Sequence, residues 1–162
     1  MKRALAGAAA VVAAAAFTLW WFSDRQVVKR RTASLLDTVT IEAGSSPIGR
    51  GLQAAGIDGF LAPHVTLEVP SEEASGTHSR DDLAAGFRYV AEHAHSTRFG
   101  IERLASITLA GDHALVVATL DAEVRFNQRQ HPLIAARYRT EFEWHQLDGR
   151  WRIARVTMTP AP

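Results

Sequence analysis

The chain has 162 residues, enough for one domain with a hydrophobic core of its own. Its 18 Lys and Arg against 17 Asp and Glu leave a formal charge of +1, which gives no electrostatic case for nucleic acid as a partner. It has no cysteine, so disulfides and thiolate metal sites are excluded.

Met1-Lys2-Arg3 is a short basic tip. The next 19 residues, Ala4–Phe22, are apolar except for Gly7 and Thr18. As a helix they would extend ~28 Å, close to the ~30 Å hydrocarbon thickness of a bilayer. Trp20 and Trp21 stand at one end, where amphipathic rings favour the interface. The stretch reads as a single-pass membrane anchor. The alternative is a cleaved signal peptide, which Lys2-Arg3 and the Ala-x-Ala triplets also fit. Cleavage near Ala16, however, would leave the run from Phe17 to Phe22 exposed at the new terminus. Arg25, Lys29, Arg30 and Arg31 come after the span and by count favour a cytoplasmic domain. Domains behind an N-terminal signal-anchor are usually exported, and the outer side of a bacterial inner membrane is the expected location.

Residues 24–39 predict a helix with an apolar stripe of Val28, Leu35, Leu36 and Val39 and with Arg30 and Arg31 facing water. Residues 42–59 are rich in glycine and small side chains and predict a loop with one short helix over 48–55. Residues 65–69 predict a short strand stopped by Pro70, and 71–78 a polar surface loop. Ser79 with Asp82 three residues on starts a second long helix, to about His95. Leu83, Phe87, Val90, Ala91 and Ala94 share one side of it.

The chain is organised around residues 97–159, which alternate apolar and polar with period two. Three long strands joined by two turns are expected, closed by residues 150–159. Phe99, Ile101, Ala105, Ile107 and Leu109 share a face. So do Ala114, Val116, Ala118, Leu120, Ala122, Val124 and Phe126, then Tyr138, Thr140, Phe142 and Trp144. Asp148-Gly149 is a strong hairpin signal, because both residues tolerate positive φ. If the middle strands fold about residue 130, Asp121 meets Arg139 and Glu123 meets Arg137, a favourable pairing of opposite charges. One sheet face is then charged and the other apolar, and the apolar face needs a cover.

The order of elements, the strand with Phe60 and Val65 before Pro70, Gly111-Asp112-His113-Ala114, and the run Asp148-Gly149-Arg150-Trp151-Arg152-Ile153 resemble one superfamily. It includes nuclear transport factor two, ketosteroid isomerase and SnoaL-like polyketide cyclases. The resemblance covers roughly residues 25–160, within a domain expected over 24–162. It implies an α+β fold, a curved antiparallel sheet wrapped around N-terminal helices as a cone-shaped roll, here with one N-terminal transmembrane helix added. Such folds host enzymes, ligand binders and interaction modules, so the fold does not settle the activity.

Enzymes of this superfamily place an acidic or histidine base inside the cone. Here Asp121, Glu123, Glu141 and Glu143 fall on the opposite face, and no catalytic residue is assigned. Two arginines interrupt the apolar alternation: Arg103, and Arg155 after Trp151 and Ile153. They would anchor an acidic group in an apolar pocket, or else sit at its rim with their heads in water. Tyr138, Phe142, Trp144, Tyr89 and His64 complete the expected pocket. His93 and His95 do not face each other on a helix, so no metal is assigned to them. The glycines at 49 and 51 mimic a dinucleotide fingerprint without its long helix or crossover, and no cofactor is assigned. The reading is a membrane-tethered noncatalytic domain that binds a small apolar or acidic ligand or a protein partner. The alternatives are an isomerase, cyclase or hydratase acting on a hydrophobic substrate, and a scaffold that dimerises through Leu115 and Val117 on the outer sheet face.

Overall fold

A computed structural model describes residues 17–71, 73–126 and 133–162 of the chain. Most of the expected anchor, residues 4–16, and the loop at 127–132 lie outside the described residues. Residues 17–21 are helical. No helix among the described residues is long and apolar enough to cross a membrane.

Helix α1 (Asp24–Val39) buries Val28, Thr32, Leu35 and Leu36. The stripe is continuous because Thr32 turns its hydroxyl back onto the Val28 carbonyl at 3.0 Å and so stays satisfied in the core. Helix α2 (Pro47–Gly56) carries proline in its first turn, and its N-cap Ser46 hydroxyl accepts from the Gly49 N–H. A 3₁₀ turn (Ile57–Gly59) leads into β1 (Leu61–Glu68). Helix α3 (Arg80–His93) starts as its sequence predicts: the Ser79 hydroxyl accepts from the Asp82 N–H at 3.1 Å and donates to the Asp82 carboxylate at 2.6 Å. That bond holds the exposed Asp82 carboxyl below its ordinary value.

The polar segment before α3 is not all loop. Gly76–Ser79 forms β2, paired antiparallel with β1 from His64 opposite Ser79 to Leu67 opposite Gly76. Its four residues bury no apolar side chain. Backbone pairing and a 3.1 Å bond between the hydroxyls of Thr66 and Thr77 make the strand, and no alternation in the sequence announces it.

Four long strands complete the chain: β3 (Ala94–Ala110), β4 (His113–Phe126), β5 (Ile134–Leu147) and β6 (Arg150–Pro160). The six-stranded sheet runs β2-β1-β6-β5-β4-β3, with β1 parallel to β6 and the other pairs antiparallel. The β5–β6 hairpin turns at Asp148 (φ 50°) and Gly149 (φ 71°) as its sequence signals. Across β4 and β5 the register is shifted by two residues from the charge-based expectation. Asp121 faces Arg137, and Thr119 faces Arg139. A shift of two keeps every side chain on its face. It also sets Trp144 opposite Ala114, large against small, and lets Arg137 meet two acids, Glu102 at 3.0 Å and Asp121 at 3.4 Å. Glu102 comes from β3, a third strand that pairwise charge matching of β4 and β5 leaves out.

The inner face packs on α1. Trp144, Phe142, Trp151, Ile153, Val116 and Leu120 are buried with Val28, Leu35 and Leu36, and Phe87 of α3 packs against them. Thr97 ties β3 to the end of α1: its hydroxyl donates to the Val39 carbonyl and accepts from the Ile41 N–H, and Ile41 bridges Thr97 through two backbone bonds. Trp144 has no exposed surface. Trp144→Ala is expected to lower unfolding stability by about 3–5 kcal/mol, the usual cost of truncating a buried tryptophan, whereas Arg137→Ala costs under ~1 kcal/mol. Urea unfolding of the two variants beside the parent chain checks the contrast.

Candidate functional site

Alternation fails at three places that decide what the cone contains. In β3, Ile101 pairs with Leu120 and Arg103 with Thr119, so Glu102 is an extra residue. Leu104 pairs with Ala118 and Ser106 with Val117, so Ala105 is a second. In β6, Glu143 of β5 faces Arg155 while Trp144 faces Ile153, so Ala154 is a third. A β-bulge puts two residues against one and so reverses the face of every later residue in the strand. The first bulge turns Leu104 inward against the core and Arg103 outward into solvent. The third does the same to Arg155, whose Nε lies 4.0 Å from Glu68 and 3.9 Å from Glu143 on the outer face. Both arginines expected in the pocket are therefore on the opposite side of the sheet.

Of the other expected pocket residues, Phe142 and Trp144 are buried within the cone and Tyr138 is half-buried on the same face, opposite Leu120. Tyr89 is exposed on α3, stacked on His93 with ring centroids 4.1 Å apart. His64 is exposed on β1. The glycine-rich segment of α2 has a structural role. Arg50 donates to the carbonyls of Ala91, Ala94 and His95 around the end of α3, satisfying acceptors that a helix C-terminus leaves open. A cleft of about 310 Å³ between α2 and α3 is lined by Arg50, Arg88 and Glu92 and by none of the expected pocket residues.

The cation that does reach the interior is Arg31, which the helical pattern assigns to water. Its Nη2 donates to the Gly59 carbonyl. Its guanidinium carbon stands 4.8 Å from the centroid of Phe60 and 5.9 Å from that of Trp144, both within cation–π range. Arg31 has no carboxylate within ion-pair distance among the described residues. Burial, and then the neighbouring charges of Arg152 and Arg150, lower its guanidinium below the ordinary arginine value. Arg152 is held beside it by bonds to the carbonyls of Asp58 and Leu61. Two buried N–H donors here, Nε of Arg31 and Nε1 of Trp144, have no acceptor among the described residues. Leaving a buried donor unmet costs about 1–3 kcal/mol, more for a charged group. The other indole of the core, Trp151, does have a partner, the Asp24 carboxylate at 3.2 Å.

Sequence reasoning misses Arg31 because Arg30 and Arg31 are adjacent and the apolar stripe of α1 only grazes the second. The signal that could find it is spacing: Arg31 is three residues after Val28 and four before Leu35, positions that share a helix face. Arg30 goes the other way, with its guanidinium 4.4 Å from the Trp21 centroid and a 2.8 Å bond to the Trp21 carbonyl.

The carboxylates of β4 and β5 lie on the outer face with Arg103 and Arg155. There the hydrogen bond from His145, 2.8 Å long, holds the Glu143 carboxyl below its ordinary value, with Arg155 and His113 contributing less. Of the two residues expected to seed a sheet-to-sheet dimer on that face, Leu115 is exposed and Val117 buried.

This is a cone-shaped α+β fold whose interior is aromatic and aliphatic, with the partly buried Arg31 packed against Phe60 and Trp144. A model of the SnoaL-like domain matches residues 51–157, and the chain belongs to that family. No curated protein matches it. Among solved structures it is similar to an NTF2-like protein from Cytophaga hutchinsonii, with TM-score 0.65 and 13% identity over 86% of this chain and 100% of that one. It is also similar to a proposed scytalone dehydratase from Novosphingobium aromaticivorans, with TM-score 0.66 and 11% identity over 85% and 83%. An NTF2-like superfamily protein from Salmonella enterica gives TM-score 0.63 and 12% identity over 85% and 91%. At these identities the likeness concerns the fold alone.

The lowered guanidinium value of Arg31 means that folding disfavours its charge, so an apolar side chain of similar length should relieve a cost. Arg31→Met is expected to unfold at or above the urea midpoint of the parent chain, and Arg31→Ala below Arg31→Met because its packing on Phe60 is lost. A loss above about 2 kcal/mol in Arg31→Met would instead mark Arg31 as a structural donor.

Proposed function

We propose that this SnoaL-like domain is a noncatalytic binder of an apolar molecule with an acidic head group, held at a membrane surface. The observation that carries the reading is the pair of buried, unmatched donors, Arg31 Nε and Trp144 Nε1, beside two aromatic rings and two further arginines. A carboxylate or phosphate monoester is the acceptor such a group fits, because a delocalised guanidinium recognises planar or multidentate anions. The apolar chain would insert among the side chains that pack α1 onto the inner face. A carboxylate on the inner face would favour proton chemistry instead. Among the described residues the acid bonded to a core side chain at this end is Asp24, which is exposed and accepts from Trp151.

The test is calorimetric titration of the full-length protein, in a neutral detergent, with a long-chain carboxylate and with the alcohol of the same chain length. The acid is expected to bind more tightly. Arg31→Met should reduce that preference roughly 10–100-fold, the worth of a charge-assisted bond of about 1.5–3 kcal/mol. Equal affinity for acid and alcohol, or an unchanged preference in Arg31→Met, overturns the reading. Recovery of a chemically altered ligand would move it to the isomerase, cyclase or hydratase class.

The membrane tether in this proposal is Ala4–Phe22. Its described end supports the idea: Phe17, Leu19, Trp20, Trp21 and Phe22 are all exposed, and the three rings at 17, 20 and 21 cluster with centroids 5.8–6.2 Å apart. Exposed aromatic clusters capped by an arginine suit the interface of a bilayer. A reporter fused after Pro162 is expected to be active on the outer side of a bacterial inner membrane, and activity only in the cytoplasm would reverse the orientation.

A further inference from the structure

The outer face of the sheet carries a group of side chains unconnected with the cone. The register of β4 and β5 puts His113 directly opposite His145, with ring centroids 4.1 Å apart and rings edge-on at 69°. Glu143, two residues before His145, projects from the same face, and its Oε1 lies 2.8 Å from His145 Nε2. One ligand atom from each of His113, Glu143 and His145 can be chosen so that all three lie within 4.8 Å of one another.

We propose that His113, Glu143 and His145 form a binding site for a divalent transition-metal cation, Zn²⁺ by preference. Two imidazoles and one carboxylate are a donor set that Zn²⁺ accepts. A tetrahedral ion with bonds of ~2.0–2.1 Å holds its ligand atoms ~3.4 Å apart. The spacings here, from 2.8 Å to under 4.8 Å, bracket that value, so side-chain rotation without strand movement closes the site. The scaffold is rigid where it needs to be. The Gln146 N–H donates to the Asp112 carbonyl at 2.8 Å and pins the end of the β3–β4 hairpin to β5. The surroundings orient the ligands. Arg155 Nε, 3.9 Å from Glu143 Oε2, draws that oxygen away and leaves Oε1 toward the histidines. Asp112 Oδ1, 3.2 Å from His113 Nε2, is a further carboxylate at the edge of the site. All three ligands retain solvent access, with 29–51% of their side-chain surface exposed, so water completes the coordination. Three protein ligands with an open position mark a site that can exchange its fourth ligand. It lies across the sheet from Arg31 and does not depend on ligand binding in the cone.

The test is zinc titration of tag-free, chelator-treated full-length protein by calorimetry. One equivalent is expected to bind in the micromolar range or tighter. His113→Ala and His145→Ala should each weaken binding roughly 100-fold or more, beyond the loss typical of outer partners of a metal ligand. His93→Ala, on α3, should leave it unchanged. Urea unfolding of each variant without metal separates a lost ligand from a lost fold. Absence of zinc binding by the folded parent protein, or binding that survives both histidine variants, overturns the proposal.

Discussion

Burial of Trp144 is the constraint on which the rest of this domain depends. Its indole has no exposed surface, and it sits where α1, the 3₁₀ turn and the sheet meet. An indole of that size near the end of β5 fixes which face is inside, and the small Ala114 opposite it fixes the register of the neighbouring strand. Once that face is inside, Phe142, Val116, Leu120 and Ile153 join it by alternation, and α1 must present Val28, Leu35 and Leu36 to cover them. The same burial leaves the indole N–H without an acceptor, which links the packing of the core to the proposed chemistry of the cone.

Much of this is legible in the sequence. Period-two patterning marks the long strands, Asp148-Gly149 the last hairpin, and the Ser79–Asp82 cap the start of α3. The failures have particular causes. Period-two counting carries on through a β-bulge, so it places Arg103 and Arg155 inward although an extra residue before each turns it out. The polar β2 is stabilised by backbone pairing to β1 and one Thr66–Thr77 hydroxyl bond, which leave no apolar alternation in the sequence. Charge matching of two strands misses the register because Arg137 is served from both β4 and β3. Arg31 reads as solvated because a cation on a helix normally is, and its burial depends on the Gly59 carbonyl, 28 residues away in the chain.

These corrections move the candidate site without changing the class of ligand. The arginines that alternation assigns to the pocket belong to the charged outer face, and a cation from α1 takes the interior position. The two sheet faces then divide the chemistry. The inner one is apolar with Arg31 at one end, where the charges of Arg152 and Arg150 also act although their strand positions alternate to the outer face. The outer one carries the carboxylates and the His113–Glu143–His145 group. The cationic end adjoins the start of α1, where Asp24 meets Trp151 and Arg30 covers Trp21. In the proposed arrangement the end that meets the acidic group is also the end nearest the membrane, where amphiphiles are concentrated.

Capture of an acidic head group in the cone is read most directly from the indole N–H resonance of Trp144 in ¹⁵N-labelled full-length protein, followed as a long-chain carboxylate is added. The four tryptophans are assigned by single substitution. An acceptor arriving at a bare donor shifts that proton. A large, saturable movement of the Trp144 signal is therefore expected, with little change at Trp151, whose N–H already has Asp24. A Trp144 resonance that stays fixed while the ligand binds would place the acidic group elsewhere and rule out the proposed site.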